Sequence, residues 1–437
     1  MRVGLMTREY PPNVYGGAGV HVEYLARELA RTIEVQVHCW GTQHEDLGSL
    51  QVRGEEPPPG ITEGSSAKFK AAVDALALNL ATMKELGAID LIHTHTWYVA
   101  MAGFFAKKLY GIPFVLTTHS LEPLRAWKAE QLGTGYALSS WMERTAILDA
   151  DAIIAVSNGT KADILRAYPD VAPEKIHVIY NGIDLQQYQQ TSATDALAKY
   201  GVDLARPYVL FVGRITRQKG VTHLVDAVRF LPAGTQVVLC AGAPDTEEIA
   251  AEMRTKVEIL RKETPGSQHA AIEHHTDEGH ALATGDPTGT GHNIVWIEQM
   301  VTKEEAIQLY SHCAVFCCPS VYEPFGIINL EAMACKAPVV ASAVGGILEV
   351  VVPPGTSEPE TGIHVSFEAD PQTTFPAHPN QFAKDLAAAI NSLLKDPARA
   401  QRMGEAGRCR VEAIFSWEAI ADQTIALYKQ LVAAKAK

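Results

Sequence analysis

Short apolar runs of strand length alternate along the chain with stretches whose apolar positions recur at helical spacing. In the first half the runs are Val3 to Met6, Glu34 to His38, Leu91 to Thr94, Phe114 to Thr118, Ala152 to Val156 and Ile176 to Tyr180. Between the first two, Val22, Leu25, Ala26 and Leu29 make one helical stripe. The rhythm restarts with Tyr208 to Val212, Gln236 to Ala241, Ile294 to Ile297, Ala314 to Cys318 and Val339 to Ser342, and Val221, Leu224, Val225 and Val228 again share one helix face. Strands that are apolar on both faces and joined by helices are what a parallel sheet covered on both sides requires. The pattern therefore predicts an α/β protein with two doubly wound domains. The polar stretches Gln186 to Thr194 and Ala205-Arg-Pro207 put the linker near residues 185–205. The expected domains are 1–195 and 196–416, with a closing helix from Trp417 that packs back onto the first. A length of 437 residues fits two cores rather than one.

Charge narrows the partners. A formal net charge of −13 argues against broad binding to nucleic acid or anionic membrane, so any affinity for phosphate must be local. The seven cysteines sit mostly in apolar contexts without a Cys-x-x-Cys pair, which reads as reduced thiols in a cytoplasmic protein. No run of eighteen apolar residues exists, so membrane insertion is not expected. A homodimer is left open.

The densest chemistry lies in the second half. Phe211-Val-Gly213-Arg214 ends a strand, and Lys219-Gly220 opens the next helix. Two cations beside a helix N-terminus at the carboxyl end of a parallel strand suit a diphosphate. Downstream, Glu323-Pro-Phe325-Gly326-Ile327 runs into a helical segment that carries Glu331. Carboxylates there suit the hydroxyls of a sugar or ribose, and together these residues point to a nucleotide-sugar site. In the first half, Tyr15-Gly16-Gly17-Ala-Gly19 leads into a helix and allows a ligand close to the backbone. His119 ends the strand Phe114 to Thr118, where its ring is expected to be exposed at a cleft. Arg125 and Lys128 flank Trp127 and suit a phosphorylated or hydroxyl-rich acceptor.

Two features are set aside. Thr264 to His292 carries His269, His274, His275, His280 and His292 but no cysteine and no His-Glu-x-x-His, so it reads as an inserted surface loop and not as a zinc site. Asp149-Ala-Asp151 precedes a strand rather than following one, which is the wrong end for a metal-diphosphate site.

Gly16-Gly17, Thr118-His119-Ser120, Ala155-Val-Ser157, Asn181-Gly-Ile-Asp184, Gly213-Arg214 with Lys219-Gly220, and the Glu323/Glu331 pair resemble the retaining glycosyltransferases of family 4 over nearly the whole chain. The resemblance implies the GT-B fold, two Rossmann-like domains facing across a cleft. Thr7 to Gly19 and Leu121 to Lys128 are similar to the glycogen synthases of the actinobacterial type. Such enzymes are implied to move glucose from ADP-glucose to glucose 1-phosphate, giving α-maltose 1-phosphate, or to an α-1,4-glucan. The resemblance implies His119, Arg214, Lys219 and Glu323 as the catalytic set. It implies Gly17, Phe325, Gly326, Ile327, Glu331 and Val301 for the donor, and Tyr15, Arg125 and Lys128 for the acceptor.

No metal or other cofactor is expected, because Arg214 and Lys219 would neutralise the leaving diphosphate. Val14-Tyr15-Gly16-Gly17 departs from the Lys-x-Gly-Gly loop of the other bacterial glycogen synthases, and Tyr15 supplies no charge. The donor base is not readable from side chains. Alternatives are another sugar or lipid acceptor, an epimerase, and a silent nucleotide-sugar sensor or scaffold.

Overall fold

The computed structural model describes residues 1–14, 16–61, 66–86, 88–125, 133–263 and 293–435. The chain separates into two compact units, Met1–Asp184 together with Phe415–Lys437, and Leu185–Ile414.

In the first unit, strands β1 (Arg2–Met6), β2 (Glu34–Trp40), β3 (His44–Asp46), β4 (Leu50–Glu55), β5 (Leu91–His95), β6 (Phe114–Thr118), β7 (Ala152–Ala155) and β8 (Ile176–Val178) form one sheet. Their order is β3-β4-β2-β1-β5-β6-β7-β8, and only β3 runs antiparallel to its neighbour. Alternation along each strand divides the core into two layers. Val3, Leu5, Val35, Val37 and Val115 face the helices Gly17–Leu29 and Trp417–Lys435, while Phe114, Leu116, Ile92 and Ile153 face Trp97–Tyr110 and Gly135–Asp149.

The second unit holds β9 (Tyr208–Arg214), β10 (Gln236–Gly242), β11 (Asn293–Ile297), β12 (Val315–Cys318), β13 (Val339–Ser342) and β14 (Gly362–Val365) in the all-parallel order β11-β10-β9-β12-β13-β14. Val209, Phe211, Val237, Leu239 and Val340 pack against Val221, Leu224 and Val225 of one helix and Phe382, Leu386 and Ile390 of another. Both units are thus doubly wound parallel sheets, as the apolar runs predict.

Three strands escape the sequence pattern. In β4 only Leu50 and Val52 are buried, because it lies near the sheet edge, and β3 is wholly exposed. β14 is a four-residue edge strand with a partly exposed middle. Such strands lack the two-sided apolar run that marks a central one.

The first unit closes at Asp184, short of the expected residue 195. Segment 185–196 is bound to the second unit, with Thr191 N donating to Ser311 Oγ at 3.1 Å and Ala196 N to Gln308 Oε1 at 2.8 Å. At the chain's return, Ile183 N donates to Phe415 O at 2.8 Å. Gly182 lies so close to the Trp417 ring that a Cβ there would stand 2.5 Å from it, so only glycine fits.

Candidate functional site

In the second unit β9 lies directly beside β12, so the loops leaving their carboxyl ends meet. Lys219 Nζ donates to Glu323 Oε2 at 2.6 Å, and Ser320 Oγ reaches the same oxygen at 3.2 Å. Burial works to lower the Lys219 pKa, but the adjacent Glu323 carboxylate outweighs it and the net shift is upward, so the ammonium form persists. Arg214, the last residue of β9, pairs with Asp245 at 3.2 Å. Each expected diphosphate cation is therefore held by one carboxylate.

Phe325 is buried, and Gly326 caps the helix Ile327–Ala334 with φ 96°, a conformation that side chains disfavour. A Cβ at Gly326 would also meet Asn329 Nδ2 at 2.6 Å. Gly346 N donates to Glu323 O at 3.0 Å and locks the loop after β13 onto this turn. Glu331 projects from the same helix, where Tyr188 Oη and Tyr310 Oη each donate to one of its oxygens at 3.0 Å. Burial raises its pKa, and the two tyrosines counter that rise. Val301 is half-buried just before Thr302, whose side chain and Glu305 form a reciprocal cap on the helix Lys303–His312.

In the first unit the carboxyl ends of β5 and β6 bring together His93, His95 and His119, with His21 from the helix Gly17–Leu29 alongside. His95 Nδ1 and His119 Nε2 are 3.1 Å apart, and His93 binds Tyr428 Oη at 2.5 Å and Thr117 Oγ1 at 2.7 Å. His119 is half-buried rather than openly exposed as the sequence led us to expect, because these rings pack around it. Burial and the neighbouring imidazoles hold its pKa well below the usual histidine value. Burial likewise lowers His21 to about 4.

Gly16 N donates to Glu9 Oε2 at 2.8 Å, fixing the glycine turn where Gly17 starts its helix. Arg125 is largely buried: its Nη1 donates to Ser120 Oγ at 3.0 Å and stands 3.9 Å from buried Glu122. Tyr15, Lys128 and the five histidines of 264–292 lie outside the described residues. Asp149 and Asp151 are structural, paired with Lys108 at 2.6 Å and Lys107 at 2.7 Å. All seven cysteines are free, and only Cys409 is exposed.

Sequence reading missed Asp245, Tyr188, Tyr310, Glu9 and the three histidines around His119. Only His93 and His95 left a signal, two histidines closing a strand of the same sheet as His119.

The fold and these loops define a class. Residues 15–187 match Glycosyltransferase Family 4 and residues 286–410 match Glycosyl transferases group 1. The chain superposes on a sucrose-phosphate synthase from Thermosynechococcus elongatus with TM-score 0.72, 26% identity and 99% of each chain covered. With the catalytic domain of starch synthase IV from Arabidopsis thaliana, solved with ADP and acarbose, the TM-score is 0.68 at 18% identity and 99% coverage of each. The protein is a GT-B glycosyltransferase. It is 44% identical to the α-maltose-1-phosphate synthase of Mycolicibacterium smegmatis over 99% of this chain and 100% of that one. It is 45% identical to the α-maltose-1-phosphate synthase of Mycobacterium tuberculosis H37Rv over the same shares. The chain belongs to glycosyltransferase family 4.

Proposed function

We propose that the protein transfers glucose from ADP-glucose to glucose 1-phosphate, giving α-maltose 1-phosphate and ADP, and that it also extends α-1,4-glucans. The observation that carries the reading is the meeting of Arg214, Lys219 and Glu323 at the carboxyl ends of adjacent parallel strands. This is a place for a diphosphate with a sugar attached. Likeness to the α-maltose-1-phosphate synthases over the whole chain supports the choice of acceptor and product, and the starch synthase solved with ADP supports the base.

In this reading Arg214 and Lys219 exchange their carboxylate partners for the departing diphosphate and stabilise its charge, and no metal is needed. Glu323 and the turn Phe325-Gly326-Ile327 hold the glucose hydroxyls, Glu331 takes the ribose, and Val301 borders the base. Gly17 borders the diphosphate. His119 is neutral at ordinary pH, so it serves the glucose as a hydrogen-bond partner and not as a cation. Arg125, Lys128 and Tyr15 serve the acceptor. The bond from glucose C1 to the diphosphate oxygen breaks, and the acceptor hydroxyl oxygen bonds to C1 on the same face. The hydroxyl proton passes to the leaving diphosphate oxygen, so configuration is retained. A cytoplasmic location fits seven free cysteines, five of them buried.

The test is product analysis with ADP-glucose plus glucose 1-phosphate, ADP-glucose plus glycogen, and UDP-glucose in place of ADP-glucose. Maltose 1-phosphate with stoichiometric ADP is expected. Transfer to neither acceptor, or transfer from UDP-glucose alone, overturns the reading.

A further inference from the structure

We propose that His21, His95 and His119 form a binding site for one divalent transition-metal ion of the zinc or cobalt type. One ring nitrogen from each lies within 4.8 Å of the other two. The His95 Nδ1 to His119 Nε2 separation of 3.1 Å is close to the spacing of about 3.3 Å that two imidazoles adopt on one tetrahedral zinc, given Zn–N bonds of about 2.05 Å. His21 is 3% exposed, yet among the described residues neither of its ring nitrogens has a partner in good hydrogen-bond geometry, although the Asn181 side chain lies beside it. Buried polar atoms without partners are rare and call for a ligand or a cost.

The three rings come from a helix, the end of β5 and the residue after β6, so the backbone that carries them is stiff. An all-imidazole set without thiolate selects zinc, cobalt, nickel or copper over magnesium or calcium. His93 is not a fourth ligand, because Tyr428 and Thr117 already occupy both its nitrogens; its ring packs tilted against His95 with ring centres 4.2 Å apart. His119 is half-buried, which leaves the fourth position to water, and the three nitrogens, all within 4.8 Å of one another, must draw closer to share one ion. An occupied site withdraws the His119 imidazole from glucose, so zinc inhibits transfer. That consequence, unlike the site itself, rests on the proposed reaction.

The experiment is a cobalt titration of the chelator-treated full-length protein, followed by its visible absorption, with zinc as competitor. One saturable equivalent displaced by zinc is expected, with affinity lowered about tenfold or more in His21→Gln and in His95→Gln. A variant with His269, His274, His275, His280 and His292 all changed to Asn separates this site from the histidine-rich segment and leaves the buried cluster untouched. Retention of the equivalent in that variant supports the site even where the buried substitutions prevent folding. Its disappearance there, the absence of any saturable equivalent in the unaltered protein, or full affinity in folded His21→Gln overturns it. The absorption readout holds whether or not the protein transfers glucose.

Discussion

Lys219 and Glu323 form an ion pair 2.6 Å long in which the glutamate side chain is only 8% exposed. Removing the ammonium alone strands a buried charge, which typically costs about 3 kcal/mol or more. Lys219→Met should therefore lower stability by about that amount, and it should also remove diphosphate stabilisation worth on the order of a hundredfold in kcat. The double variant Lys219→Met/Glu323→Gln should regain most of the stability and none of the activity. Urea denaturation alongside steady-state kinetics checks both. Recovery of activity in the double variant would show that the lysine serves only the fold.

Arg214 and Asp245 stand 3.2 Å apart, with the arginine side chain 32% exposed, so the pair contributes about 1 kcal/mol at most. In the proposed reaction a diphosphate competes with Asp245 for the guanidinium. Asp245→Asn should tighten ADP binding up to about fivefold, the factor that 1 kcal/mol corresponds to, whereas Arg214→Ala should cut kcat/KM on the order of a hundredfold. Calorimetric titration with ADP decides the first. Weaker binding in Asp245→Asn would mean that the aspartate aims the arginine rather than occupying it.

The central strands were legible because two-sided burial writes an unbroken apolar run, as in Phe114 to Thr118 and Val339 to Ser342. Edge strands β3 and β14, and β4 next to the edge, were not, since half or more of their residues are not fully buried. At the site, Arg214, Lys219 and Glu323 were legible from their positions at strand ends. Their partners were not: Asp245 and Tyr188 come from distant segments, and no local spacing tells which tyrosine will reach a given carboxylate. The histidine reading went to the conspicuous segment 264–292, while His21 and His95 were scattered among apolar neighbours; His95 met His119 through β5–β6 pairing and His21 through the packing of the helix Gly17–Leu29.

Tyr188 and Tyr310 each give Glu331 one hydrogen bond of 3.0 Å. A hydrogen bond to a charged group is worth about 1.5–3 kcal/mol. If Glu331 holds the donor ribose as proposed, Tyr188→Phe should let the carboxylate rotate away from it, so KM for ADP-glucose should rise about tenfold with kcat changed less than twofold. A fall in kcat at unchanged KM would place Glu331 with the reacting sugar instead.

Glu143 offers a test of pH linkage in the first unit. Its Oε1 accepts from Glu122 N at 2.9 Å and from Tyr168 Oη at 2.6 Å, and burial followed by the nearby Glu122 carboxylate pushes its pKa up to about 8. Because the folded value lies above the ordinary 4.5, the native state holds a proton that the unfolded chain releases first. The stabilisation is complete below about pH 4.5 and is lost as the pH rises to about 8, above which the loss levels off. One proton sets a limiting slope of about 1.4 kcal/mol per pH unit. Glu143→Gln keeps an acceptor for Tyr168 and cannot titrate, so its unfolding free energy should fall less steeply than the unaltered protein's across pH 5 to about 8. Urea melts at intervals of about half a pH unit give the two curves. Parallel curves would mean that Glu143 is ionised in the folded protein and that the Tyr168 and Glu122 donors outweigh its burial.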